Sequence, residues 1–224
     1  MNKQTGFTLI ELAIVLVIIG LLLGGVLRGQ ELINSARVKS LTRDFQNTQV
    51  YLYGYQDRFR AIPGDDGNAA VLHLPGPPAA TNPPVANANN GRIDGAWSDG
   101  FAAASEAILF WQHVRLAGLA PGPTALAAGF DPMNANNGRI GIQSIPLLPA
   151  LPPILTMTGS YAVCSDLIVG RDALQIDTTL DDGETTTGNI RARPTGAAPA
   201  AAMASATMAL AANVNLQYTV CMSL

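Results

Sequence analysis

The sequence predicts an α+β fold: a long N-terminal helix packed on a C-terminal antiparallel sheet, with long loops. Three observations predict it. An apolar run opens the chain, an apolar seam at helical spacing continues it, and short strand-like segments bounded by turn residues recur from residue 139 onward.

Residues 7–27 form an apolar run of 21 residues, interrupted only by Glu11. At the rise of an α-helix this is roughly 31 Å, close to the hydrocarbon thickness of a bilayer. A helix that is apolar all round is buried in lipid or inside an assembly. The segment before it, residues 1–6, carries one cation, Lys3. The run is too long for a secretory h-region and no small-residue cleavage site follows it, so the helix is expected to stay in the mature protein.

Glu11 is the exception within this run. A carboxylate at the centre of a bilayer costs about 2.5–3.5 kcal/mol on insertion scales, and less near an end, so such residues have a function by default. The helix dipole favours a Glu near a helix start. A second reading is chemical: cutting the chain after Gly6 would turn the neutral amide nitrogen of Phe7 into a cationic amine, a partner for Glu11 within one chain or between neighbours.

The string Gly6-Phe7-Thr8-Leu9-Ile10-Glu11 followed by an apolar run resembles the class III leader of type IV pilins and type II secretion pseudopilins. Less specific likenesses to prepilin-type proteins follow at Pro63-Gly64-Asp65, at Phe110-Trp111-Gln112-His113 through Ala117-Gly118-Leu119, and at Leu180-Asp181-Asp182-Gly183. The resemblance implies a pilin-like fold, cleavage between Gly6 and Phe7 by a prepilin peptidase, and N-methylation of Phe7. It implies that Glu11 pairs with the Phe7 amine of an adjacent subunit during assembly. The partners it implies are other pilin subunits, in homo- or hetero-filaments, an inner-membrane assembly platform and membrane lipid.

Under that reading residues 1–6 are a leader, 7–27 a transmembrane and filament-core helix, 28–62 its amphipathic continuation and 63–224 a globular head. The head is expected outside the cytoplasm of a bacterium, first anchored in the inner membrane and then in a periplasmic or extracellular filament. Arg28, Arg37, Lys39 and Arg43 follow the apolar run, and counting positive charges alone would place that side in the cytoplasm. Gly20 and Gly24, like Gly25 and Gly29, stand four apart, a spacing that allows close helix approach. Gly24-Gly25 is also a candidate point of unwinding. Arg28 stands where many family members have a proline, which leaves that point open.

After Arg28 the pattern becomes striped. Leu41, Phe45, Thr48, Leu52, Tyr55, Phe59 and Ile62 make a narrow seam, opposite Arg43, Asp44, Gln46, Asn47 and Asp57. The seam is expected to pack on the protein's own sheet, with a coiled coil as the other option. Pro63-Gly64 is expected to end the helix.

Residues 63–100 read as a long connection with short turns. The heptapeptide Asn-Ala-Asn-Asn-Gly-Arg-Ile occurs at 87–93 and again at 134–140. Each copy is expected to form a tight turn leading into a strand, with a duplicated recognition loop as the sharper reading. A helix is expected over residues 102–116. His113 within it reads as a packing or surface residue, and with His73 as the only other histidine a multi-histidine metal site is excluded.

Strands are expected over 139–145, 161–164, 188–193 and 216–222. The near-uniform small-residue segment 197–212 reads as a loop or a short helix. Two cysteines in the last third, Cys164 and Cys221, most simply form one disulfide in an oxidising compartment, a buried reduced pair being the alternative. In the last strand Cys221 falls on the face opposite Leu216, Tyr218, Val220 and Met222, so a bridge would clamp that strand rather than fill the core. The acidic group Asp177, Asp181, Asp182 and Glu184 around Gly183 reads as a solvated turn, with a Ca²⁺ site as the second reading. No other metal or cofactor is expected.

Net charge is −3 and charged residues make up 13% of the chain, which argues against nucleic acid as a partner. No phosphate loop, nucleophile elbow, CxxC pair or metal-binding histidine pair occurs. The function expected is a structural prepilin subunit of a type IV pilus or a type II secretion pseudopilus. The alternative is a minor pilin whose head binds a ligand at the filament tip, and a membrane-tethered enzyme is the remaining class.

Overall fold

The computed structural model describes residues 9–103, 105–145, 154, 155, 157–196 and 200–224. The chain divides into two compact units, residues 1–39 and 40–224. One helix, α1 (Leu9–Phe59), begins in the first unit and ends in the second.

In the first unit residues 9–28 are exposed on every face of α1. The helix runs without a break through Gly24, Gly25 and Arg28. Arg28 meets Glu31 at 3.4 Å, one turn on. This is the one described helix long and apolar enough, by length and composition, to cross a membrane.

In the second unit Leu41, Phe45, Thr48, Leu52 and Tyr55 are all buried, as their spacing predicts. Thr48 belongs there because its hydroxyl donates to the Asp44 carbonyl at 2.8 Å, which satisfies the polar atom inside the helix. Phe59 and Ile62, at the end of the seam, are half-buried. The helix ends at Phe59, ahead of Pro63-Gly64, where Arg60 takes a positive φ of 55°.

A π-helical turn (Ala69–His73) and a 3-10 turn (Phe101–Ala103) punctuate the long connection. The second helix, α2 (Glu106–Leu116), is buried from Glu106 to Arg115. It meets α1 through rings: Tyr51 is edge-on to Trp111 at 6.5 Å and Tyr55 stacks on His113 at 6.1 Å. Arg58 donates to the Ala117 carbonyl at the end of α2.

The remaining elements are β1 (Ile140–Ser144), β2 (Ile154–Leu155), β3 (Tyr161–Val169), α3 (Gly170–Leu180), β4 (Ile190–Pro194), β5 (Ala200–Ala201), α4 (Ser205–Met208) and β6 (Gln217–Ser223). A four-stranded sheet has the order β1-β3-β6-β4, with every pair antiparallel. β2 and β5 form a short parallel pair. The fold is thus α+β and pilin-like: a long N-terminal helix with a C-terminal four-stranded antiparallel sheet.

Several elements differ from the sequence reading: β2 is not among the expected strands, and the helix expected over 102–116 begins at Glu106, after a separate 3-10 turn. β3 continues to Val169, beyond the expected 161–164, because a register shift between Ser165 and Ile168 with Leu167 at φ 55° breaks the alternation. The segment 197–212 contains both a strand residue pair, β5, and the single helical turn α4. Helix α3 has no counterpart among the expected elements. Its buried positions Gly170, Ala173, Ile176 and Asp177 keep helical spacing, but Asp172 and Asp177 stand among them and mask the apolar stripe.

Candidate functional site

Gly6 and Phe7 lie outside the described residues, so the expected cleavage point has no described geometry. Glu11 sits in the first turn of α1, exposed, within the apolar surface of residues 9–28. Around Gly20, Gly24, Gly25 and Gly29 nothing lies within 4 Å of where a Cβ would be. This stripe is open to a neighbour that brings its own helix.

Cys164 and Cys221 are joined by a disulfide and face each other directly in the register of β3 and β6. Both are fully buried, in a cluster with Trp97, Ile145, Ile154, Met157 and Ala162. This corrects the expectation of a clamp outside the core. Cys221 does alternate with Val220 and Met222, but both faces of the sheet are covered. On the second face the loop before α2 lies over Gly141, where a Cβ would collide with the Trp97 carbonyl. Trp97 N–H donates to Gln143 Oε1 at 3.0 Å.

The long connection is held by buried polar side chains of α2. Glu106 Oε2 accepts from Asp94 N–H at 2.8 Å, and Gln112 Oε1 accepts from Thr81 N–H at 2.8 Å. Arg115 donates to the carbonyls of Pro121, Pro123 and Phe130 and lies 4.5 Å over the Phe130 ring. His113 is fully buried; its Nδ1 accepts from Gly64 N–H at 3.0 Å and its Nε2 reaches the Thr81 carbonyl at 2.9 Å. That pattern fixes the neutral tautomer with the proton on Nε2, and burial lowers its pKa. His113 is therefore a packing and tethering residue, as its helical position suggests.

Asp65 lies in the turn that follows Pro63, and both Asp65 and Asp66 are buried. Asp65 accepts from the N–H groups of Asn90 at 3.0 Å and Gly91 at 2.8 Å. Asp66 accepts from the Tyr55 hydroxyl at 2.7 Å and meets His73 Nδ1 at 2.5 Å. A cavity lined by Arg60, Asp65, Asp66, Asn68 and His73 opens beside them. Among the described residues its lining includes no serine, threonine or cysteine. Sequence reasoning missed this node because its members are scattered over residues 55–113.

The acidic group divides. Asp177 lies on α3, not on a turn, and is fully buried. Asp182 is exposed and accepts from Glu184 N–H and from the Thr187 hydroxyl. Asp181 Oδ2 accepts from the N–H groups of Asn189 and Ile190. Glu184 turns elsewhere, accepting from the Thr186 hydroxyl and Ser205 N–H. Asp177, Asp181 and Asp182 alone bring carboxylate oxygens within 4.8 Å of one another.

Residues 1–27 match the family model of the prokaryotic N-terminal methylation motif, the signature of type IV pilins and pseudopilins. Neither a curated protein nor a solved structure matches the chain.

Proposed function

We propose that this chain is a structural subunit of a type IV pilus or a type II secretion pseudopilus, assembled through its N-terminal helix. The observation that carries the reading is the methylation motif over residues 1–27, continued by a helix that is apolar on every face from Leu9 and carries Glu11 in its first turn. A surface of this kind needs lipid before assembly and other helices after it. The motif and the apolar helix fit membrane anchoring.

In this reading residues 1–6 are removed by a prepilin peptidase and Phe7 becomes the N-methylated terminus. Its amine pairs with Glu11 of a neighbouring subunit, which sets the axial register between chains. Residues 7–27 hold the subunit in the inner membrane and then form the filament core. The head, stabilised by its disulfide, stands on the outer side. The role is structural rather than enzymatic.

The test is the mass of the N-terminal peptide of the protein recovered from its own host. A peptide that begins at N-methylated Phe7 is expected. A peptide that begins at Met1 in cells with an active prepilin peptidase would overturn the reading. Recovery of the chain as a main component of sheared surface filaments would assign it to a pilus.

A further inference from the structure

We propose that a cavity between α1 and α2 binds a primary alkylammonium group, with the Asp44 carboxylate, the Asn47 amide oxygen and the Tyr51 hydroxyl as its acceptors. The cavity has a volume of about 170 Å³, and its lining includes these three residues of α1, Trp111 of α2, and Pro121 and Met133 from the loops beyond. Positions 44, 47 and 51 are three and four residues apart, so their side chains share one face of the helix. A polar side chain at a surface bonds to water, and any one of the three alone would call for nothing more. Together they form an unfilled set: among the described residues none of the three side chains has a hydrogen-bond partner. Thr48 takes the Asp44 backbone carbonyl and leaves the carboxylate alone. Burial, and then the Asp44 charge, raise the Tyr51 pKa, so the two groups face the same space without a hydrogen bond joining them.

Asp44 is the charged member of the set. Burial raises its pKa to about 6, and no neighbouring charge opposes that shift. At neutral pH it is therefore an ionised carboxylate with part of its hydration removed and no counter-ion among the described residues. The one cation in the lining is Arg115. Its guanidinium is already engaged: it donates to the carbonyls of Pro121, Pro123 and Phe130 and lies over the Phe130 ring, and the carboxylate that acts on it is Asp131. It also stands 5.8 Å from the centre of the Trp111 ring. Repulsion from Arg115 confines an incoming cation to the Asp44–Tyr51 side of the cavity.

The groups present select the ligand. A primary ammonium carries three N–H donors, and the cavity offers three acceptors without partners. The Tyr51 ring, edge-on to Trp111 at 6.5 Å, adds an aromatic surface that attracts a cation. Pro121 and Met133 give the methylene stem an apolar wall. A single carboxylate supplies too little charge and too few oxygens for a divalent metal. A quaternary ammonium has no N–H and would leave all three acceptors unpaired. The same head group is carried by a free amine and by a lysine side chain of another chain.

The test is calorimetric titration of the full-length protein in detergent at neutral pH and constant ionic strength. n-Butylammonium chloride is expected to bind with a Kd of about 10⁻³–10⁻² M. Asp44→Asn should weaken that binding by about tenfold or more and melt no lower than the wild type, since it removes a partly desolvated charge. Tyr51→Phe keeps the ring and loses one acceptor, so it should bind about threefold more weakly. N-acetyl-lysine methylamide separates the two sources: binding as tight as that of butylammonium assigns the site to a side chain of another chain, and binding of butylammonium alone assigns it to a free amine. No butylammonium binding by the wild type at about 50 mM would overturn the site. Equally tight binding of tetramethylammonium would overturn it too, as would undiminished binding by either variant. None of these results bears on filament assembly, because the measurement uses single subunits.

Discussion

The backbone N–H of Gly64 donates to Nδ1 of His113 at 3.0 Å, tying the chain just after α1 to the middle of α2. The contact brings the two backbones close together. Gly64 has φ 92°, and a Cβ there would collide with the Glu106 carbonyl. Gly64→Ala therefore meets two penalties, a disfavoured φ and a backbone clash. A loss of at least about 2 kcal/mol in urea unfolding is expected. An unchanged midpoint would show that the two segments can separate without cost.

The two identical heptapeptides should respond differently to the same substitution. Gly91 has φ 80° and open space where a methyl group would stand, so Gly91→Ala should cost about 1 kcal/mol from backbone strain alone. In the second copy a Cβ on Gly138 would strike the Asp166 carbonyl, so Gly138→Ala should cost about 3 kcal/mol or more. Equal losses in parallel urea titrations would contradict the two geometries.

Glu106 gives a pH dependence of defined sign. Burial, with Asp65 and Asp94 nearby, raises its pKa to about 7, and its Oε1 has no hydrogen-bond partner. An unfolded Glu titrates near 4.3. The folded state therefore holds a proton that the unfolded chain releases, and the associated stability is lost as pH rises from about 4.3 through about 7. Glu106→Gln lacks this loss. The variant should gain on the wild type across that window by on the order of 1–3 kcal/mol and then level off. A difference independent of pH would exclude a protonated Glu106.

The disulfide closes a sequence separation of 57 residues. The chain-entropy picture gives about 4 kcal/mol for such a loop. Replacing both cysteines by alanine should lower stability by about 2–4 kcal/mol and leave small voids beside Trp97 and Met157. In the unreduced wild type a thiol reagent should find no free cysteine. Two reactive thiols would contradict the bridge.

Glu11→Ala should leave membrane insertion intact, because it removes a charge from an apolar surface. Filament incorporation, measured in sheared fractions against total membrane protein, should fall sharply. Normal incorporation would remove Glu11 from the proposed pairing with the Phe7 amine.

Features carried by local periodicity were legible in the amino-acid order alone. The apolar run of residues 7–27, the seam from Leu41 to Tyr55 and the alternation of the last strand each repeat along the chain, so they could be read without knowing what packs on them. The N-terminal motif was legible for the same reason, as residues at fixed spacing. Tertiary structure alone decided what covers what. In the first heptapeptide Asp65 captures three successive N–H groups, through its carbonyl at Asn89 and its carboxylate at Asn90 and Gly91, and positive φ falls on Asn89 and Gly91. In the second, the Asn134 side chain caps Asn136 and Gly138, positive φ falls on Asn137, and only this copy enters a strand. The first ends at Ile93, which exchanges hydrogen bonds with Ser144 without forming one. Burial of Cys221, Glu106 and Asp177 was equally invisible, because a polar or small side chain carries no mark of the segment that will lie over it. That depends on contacts between residues far apart in the chain, which local spacing does not encode.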